Sequence, residues 1–207
     1  MLQLKKLVHM PIEKLKTQID KVDIYILDQI LKERYLPDHK ILDVGCGNGR
    51  NLKWFYNNNY DINGIDIDIT KIEYVKSIYS KQKDNFKVLT VEDLSFNKDA
   101  FHHVICVAVL HFARDEEHFY KMFAELLRVL KPNGTLFIRM ASNIGIDDEI
   151  KPISEGVYKL PDGTKRFLLT KSIIKCISEK YKLKFLEPIK TVNVEGKRWM
   201  TTLMLQK

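Results

Sequence analysis

The chain has too few cysteines to be held together by disulfides. Cys46, Cys106 and Cys176 are odd in number and widely spaced, which suits neither a disulfide framework nor a paired-cysteine metal site and points to a reducing, cytoplasmic setting. No metal ion is expected. Nor is there a run of roughly twenty apolar residues, the length that spans a bilayer, and the lysine-bearing N-terminus lacks an apolar stretch followed by a cleavage site. Repeats, low-complexity tracts and a linker rich in Pro, Gly and Ser are also missing. With 207 residues and 45% hydrophobic content, one core and a single domain over 1–207 are expected. Basic residues are in excess at a net charge of +7. The excess sits in residues 151–207, which carry 13 basic and 5 acidic side chains. These lysines form no run and no aromatic interleaving, so a solvated surface is expected, although such a face can attract nucleic acid or anionic substrates.

What stands out is ILDVGCGNGR, residues 41–50. An apolar strand passes through Asp43 into a loop with glycine at every second position, a pattern that sets backbone N–H groups and a helix start against a nucleotide-like ligand. The dinucleotide fingerprint G-x-G-x-x-G fails here. After Gly45 and Gly47, Arg50 stands where the third glycine would let helix and strand pack closely.

Elements alternate along the rest of the chain. Leu15, Ile19, Val22, Ile26 and Ile30 recur at helical spacing, predicting one amphipathic helix within an N-terminal cap over residues 1–38. Strands are predicted at 40–44, 61–65, 86–91, 104–109 and 135–140, and helices at 51–57, after a Thr70 cap, and at 115–129. Lys131-Pro132-Asn133-Gly134 ends the last of these helices. A helix capped by Thr170 runs to about Tyr181, and strands at 184–194 and 199–205 meet at a Glu195-Gly196 turn. This progression gives a doubly wound, mostly parallel sheet ending in an antiparallel hairpin. Cys46 reads as a space-filling residue, and His102 and His103 as solvated polar residues at a strand entrance.

The chain resembles the class I S-adenosylmethionine-dependent methyltransferases from about Ile12 onward, through four motifs in order. They are the glycine loop, Gly64-Ile65-Asp66-Ile67, Val91-Glu92-Asp93-Leu94-Ser95-Phe96, and Val107-Ala108-Val109-Leu110-His111-Phe112 together with the later VLKPNGTLFI. The resemblance implies a Rossmann-like, seven-stranded sheet and S-adenosylmethionine as cofactor, with S-adenosylhomocysteine as product. It implies that Asp43 and the loop residues Gly45, Cys46, Gly47, Asn48 and Gly49 hold the methionine part. Asp66 and Ile67 meet the ribose, Asp93 and Leu94 the adenine, and Val107 and Ala108 complete the cofactor shell. His102 stands where many relatives carry aspartate, and Phe112 replaces the second histidine of the VLHH type. Within the superfamily, the compact size and terminal hairpin resemble small bacterial enzymes, including the tellurite-resistance type.

His111 follows the buried fourth strand, where ligands of open α/β sheets bind. It is the candidate catalytic residue, either taking a proton near neutral pH or lining the pocket. Residues 141–169 contain Asn143, Gly145, the acidic run Asp147-Asp148-Glu149, Tyr158 and Arg166 and show little periodicity, predicting a substrate lid. Arg139 and Arg166 could face an anionic substrate. A small-molecule acceptor is expected. The alternatives are a tRNA acceptor of the wobble-uridine carboxylate type, suggested by the basic last quarter, and a cofactor-binding regulatory or partner subunit.

Overall fold

Alternating side chains on the first strand set the layers of the molecule. The computed structural model describes residues 11–146, 150 and 152–207, so the acidic run Asp147-Asp148-Glu149 lies outside the described residues. In chain order the first half contains α1 (Ile12–Ile19), α2 (Ile24–Leu31), β1 (Lys40–Val44), α3 (Lys53–Asn57), β2 (Asp61–Asp66), α4 (Ile69–Ile78), β3 (Phe86–Val88) and β4 (Phe101–Val107). Then follow α5 (Glu116–Val129), β5 (Leu130–Ala141), β6 (Pro152–Ser154), β7 (Val157–Lys159), β8 (Lys165–Phe167), α6 (Lys171–Lys180), β9 (Lys184–Phe185), β10 (Lys190–Val194) and β11 (Arg198–Gln206).

On β1, Leu42 and Val44 enter one apolar cluster while Ile41 enters the other. On β4, Val104 and Cys106 face the first and Ile105 and Val107 the second. Both strands are therefore covered on two faces, as their continuous apolar runs require. The sheet order is β10-β11-β5-β4-β1-β2-β3, with β9 also on β11. Strands β1 to β5 run parallel, and β11 lies antiparallel to β5. The expected seven positions are present, but eight strands fill them, because β9 and β10 share the edge beside β11. The hairpin turn is the expected one. Glu195 and Gly196 both take positive φ, 54° and 64°, the geometry that suits the twist of an antiparallel pair.

Several elements differ from expectation for identifiable reasons. The single N-terminal helix is two, because Lys21 is left-handed (φ 65°) and the Asp23 side chain caps α2 by accepting from the Tyr25 N–H. Asp68, and not Thr70, caps α4; the Thr70 N–H and hydroxyl both donate to it. The strand expected over 86–91 stops at Val88, and that over 104–109 stops at Val107, since Ala108 takes φ 59°. β5 begins at Leu130 and includes the Lys131–Gly134 stretch, with Asn133 donating its N–H to the Lys207 carbonyl. His103 is buried and not solvated: its ring bonds His39 and the Thr135 hydroxyl, both at 2.7 Å.

The strand expected over 184–194 breaks around Pro188, which has no N–H to give a ladder. In that break Glu187 turns inward. It accepts from Lys32 (2.6 Å), Arg34 (3.0 Å), Lys190 (2.6 Å) and the Gln29 amide (3.1 Å), tying α2 to the sheet edge. Burial pushes this carboxyl up, but the four donors outweigh it and hold Glu187 well below the usual carboxylate range. The aperiodic stretch over 141–169 also contains structure. β6, β7 and β8 form an antiparallel meander of their own. Its ends are pinned together: the Leu169 N–H donates to the Ala141 carbonyl (3.0 Å) and the Asn143 N–H to the Leu169 carbonyl (3.2 Å).

Candidate functional site

The carboxyl ends of β1, β2, β3 and β4 open into a cavity of about 390 Å³, the place where open α/β sheets bind ligands. Gly45, the first glycine of the loop, lines it. Gly45 has φ 70° and a Cβ there would lie 2.3 Å from Val109 Cγ2, so no side chain fits between the loop and the end of β4. Gly49 has φ 73° and its missing Cβ would meet Tyr79 and Val75 of the α4 region at 2.7 and 2.9 Å. Those two contacts explain why the loop needs bare backbone.

Asp66 ends β2 at the cavity wall and organises both turns beside it. One carboxylate oxygen accepts from the Gly47 N–H (2.9 Å) and the other from the Asp68 N–H (3.0 Å). Each oxygen keeps a free lone pair, which leaves room for two further donors such as a ribose diol. Ile67, next in sequence, is 73% exposed at the mouth.

Asp43 lies deeper. It is buried to 1% exposure and its Oδ2 has no partner among the described residues. Burial pushes its carboxyl up to about 8; Arg50 opposes this and Asp66 adds to it. A buried acid of this kind suits a cationic ligand group. The pH consequence has a definite sign. A folded-state value above the unfolded one makes the contribution to stability complete at low pH and lost as pH rises toward 8. Asp43→Asn should therefore be more stable than the cofactor-free wild type at pH 8, by up to about 1.4 kcal/mol for each pH unit of the titration, and the gap should shrink at pH 5. Thermal unfolding at the two pH values checks this, and parallel melting curves for the two proteins would sink it.

The third wall follows β3. Leu89, Thr90, Val91 and Glu92 line it, opposed by His118 and Met122 of α5. Glu92 Oε1 lies 3.3 Å from His118 Nε2. Burial pushes Glu92 up, but its own backbone N–H, His118 and Arg114 hold it below the ordinary range, so it stays ionised. Asp93 is exposed and outside the cavity wall. Leu94 is buried and gives its N–H to Glu125 Oε2 at 3.1 Å. Ala108 and Val109 complete the wall at the end of β4, where the Ala108 N–H donates to the Arg139 carbonyl (2.8 Å).

Of the residues nominated from the sequence, the cavity brings together Gly45, Asp66, Ile67 and Ala108. Asp43, Cys46, Gly47, Gly49, Leu94 and Val107 stand behind this wall or beside it, and Asn48 faces a different depression. His111 is buried behind its neighbour Phe112, which does line the cavity. Its Nδ1 accepts from the Ala141 N–H at 3.4 Å. Burial, then Arg166 and Arg198, push the imidazole down to about 4. His118 and Met122 were not found from the sequence. Their four-residue spacing marks one helix face, but nothing local ties that face to Glu92.

The donor set fits an adenosyl cofactor carrying a cationic sulfonium: an unpartnered buried carboxylate oxygen, a strand-end acid with spare lone pairs, and a loop that excludes side chains. Comparison with known proteins agrees. Residues 42–138 match the family described as a methyltransferase domain. A ubiquinone biosynthesis O-methyltransferase of Xanthomonas campestris pv. campestris is 30% identical over 115 residues, 54% of this chain and 47% of that protein. The match thus spans about half the length of that relative. Among solved structures, an S-adenosylmethionine-dependent methyltransferase from Clostridium acetobutylicum shares the fold at TM-score 0.67 and 14% identity, covering 94% of this chain and 97% of that one. The Burkholderia thailandensis 1,6-didemethyltoxoflavin-N1-methyltransferase, solved with 1,6-didemethyltoxoflavin and S-adenosylhomocysteine bound, does so at TM-score 0.66 and 14% identity, covering 88% and 75%.

Proposed function

We propose that the chain is a class I S-adenosylmethionine-dependent methyltransferase that transfers a methyl group to a small-molecule acceptor, a reading supported by the methyltransferase-domain match over residues 42–138 and by the 30% identical relative. Bound in the cavity, S-adenosylmethionine supplies a sulfonium-activated methyl group, open to in-line attack by a nucleophile of the acceptor. The observation that supports this reading most is the convergence of Gly45, Asp66, Ile67 and Ala108 on one cavity at the strand ends. Asp66 takes the ribose diol, the glycine loop the methionine part, and Asp43, buried behind the wall, acts on the cationic end through the loop. The protein's main work is alignment, which can supply about 7–11 kcal/mol of a barrier.

For the adenine amino group, Glu92 takes the part that the motif alone would give to Asp93, because Glu92 is in the wall and Asp93 is in solvent. Titration calorimetry with S-adenosylhomocysteine separates them. Glu92→Gln should bind about three- to tenfold more weakly, the worth of one hydrogen bond, and Asp93→Asn should bind like wild type. The reverse order would restore Asp93.

His111 positions the acceptor and does not take its proton. With Nδ1 accepting from Ala141, the ring proton sits on Nε2 and the Ala108 carbonyl is the ring's second partner, so the imidazole acts by steadying the end of β4 at the cavity wall. Once an acceptor is in hand, His111→Gln should lower kcat/KM about tenfold without changing the shape of the pH profile. A wild-type rate step at acid pH that disappears in the variant would make His111 the base after all.

The meander over β6 to β8 serves as the lid on the acceptor side. From it Arg166 reaches over the Phe112 ring, 4.8 Å from the centroid, at the cavity wall. The test is transfer of labelled methyl by the full chain into a cell extract split into metabolite and RNA fractions. Label should enter the metabolite fraction. Label confined to RNA would replace this reading with the tRNA one, and label in neither fraction would point to a cofactor-binding subunit.

A further inference from the structure

A second depression, of about 430 Å³, lies outside the glycine loop, between the end of α1, the start of α3 and α4. Its wall carries Lys21, Arg50 and Lys53 together with Tyr56, Tyr74 and Tyr79. Nothing in the methyl-transfer reading uses Lys21, Lys53, Tyr56 or Tyr74, while Arg50 belongs to the glycine loop and Tyr79 packs against Gly49.

The cations are placed and only weakly neutralised. Arg50 Nη1 donates to the Lys21 carbonyl at 2.8 Å, which fixes the α1–α2 junction against the loop. Its other nitrogen is 3.9 Å from Asp23 Oδ2, an acid that Arg139 approaches more closely, at 3.4 Å. Lys53 Nζ reaches only the Lys16 carbonyl, at 3.3 Å, and among the described residues neither Lys53 nor Lys21 meets a carboxylate at ion-pair distance. Lys21 holds a left-handed backbone (φ 65°), unfavourable for a residue with a Cβ. Against these three cations the wall sets one acid, Asp20.

The aromatic side is equally specific. Tyr56 and Tyr79 lie with ring centroids 4.7 Å apart, and the Tyr79 hydroxyl is committed to the Gly49 carbonyl at 2.7 Å. Tyr74 is 51% exposed beside them, an open ring face in a basic pocket. Cations for an anion and a free ring for a planar group are the elements of nucleotide recognition without strict sequence preference, and the Asn48 amide on the same wall adds a group for a polar edge.

We propose that this pocket binds a phosphorylated nucleotide, either free or as one unit of a single-stranded RNA. It is separate from the cofactor cavity, which carries acids and apolar groups. The pocket and that cavity share the glycine loop, so a nucleotide held here lies one loop away from the cofactor.

The test uses the full chain with S-adenosylhomocysteine in excess to fill the cofactor cavity, and fluorescence anisotropy at about 50 mM salt. One arm carries labelled ATP and the other a labelled twelve-residue oligouridine. Wild type should bind at least one of them, with affinity falling steeply as salt rises. Tyr74→Ala and Lys53→Gln should each weaken binding about tenfold while leaving the affinity for S-adenosylhomocysteine unchanged. Preference for ATP assigns a free nucleotide, and equal or higher affinity for the oligomer assigns RNA. Absence of binding by either probe, or binding that neither substitution alters, would overturn the proposal.

Discussion

Replacing Asp66 by alanine should weaken binding of S-adenosylmethionine about a hundredfold or more. On the proposed reading Asp66 accepts two charge-assisted hydrogen bonds from the ribose diol, each worth roughly 1.5–3 kcal/mol, and the deletion removes both. It also strips the acceptor from the Gly47 and Asp68 N–H groups, so the glycine loop itself loosens. Asp66→Asn divides the two effects. An amide keeps one acceptor oxygen, so it should support part of the loop and bind roughly tenfold more weakly than wild type. Calorimetry on the three proteins gives the series. Affinity for Asp66→Ala within threefold of wild type would show that this carboxylate does not face the ribose.

The second large effect is expected at Gly45. An alanine there carries a left-handed backbone cost of about 1–2 kcal/mol and places its Cβ 2.3 Å from Val109 Cγ2, an overlap that adds about 1–3 kcal/mol. Gly45→Ala should lose about 2–5 kcal/mol in urea unfolding together with most cofactor affinity. Gly47 is the control. It has a similar φ, 53°, but open space where a Cβ would sit, so Gly47→Ala should show only the backbone part. Adding Val109→Ala to Gly45→Ala removes the overlapping methyl and should recover a measurable share. Additive losses in that double variant would mean that the close approach of loop and β4 is not what requires the glycine.

Legibility from sequence followed the range of the physics. β1 and β4 were readable because two-sided burial writes itself as an unbroken apolar run, and α5 and α6 because Asp115 and Thr170 cap them locally. The break between α1 and α2 was hidden. Leu15 to Ile30 keep helical spacing straight through it, and Asp23 is fixed partly by Asn51, whose side chain accepts its N–H from 28 residues away. The meander was missed because its strands are three residues long and largely exposed, too short for alternation to show. At the site, the place of Asp66 on the cavity wall was legible, because its position at the end of β2 is itself the signal. Glu92 and Asp93 are adjacent acids that no spacing separates; the turn after β3 decides which one enters the wall. His118 and Met122 come from an element whose packing against that turn is purely tertiary.

That the cavity at the ends of β1, β2, β3 and β4 is the S-adenosylmethionine site is tested most directly by thermal unfolding with and without S-adenosylhomocysteine. At a hundred times its dissociation constant a ligand of the folded state adds about 2.7 kcal/mol. Wild type should show that stabilisation, and Asp66→Ala at the same ligand concentration should lose most of it. A wild-type melting curve that S-adenosylhomocysteine does not move at any concentration up to millimolar would contradict the account.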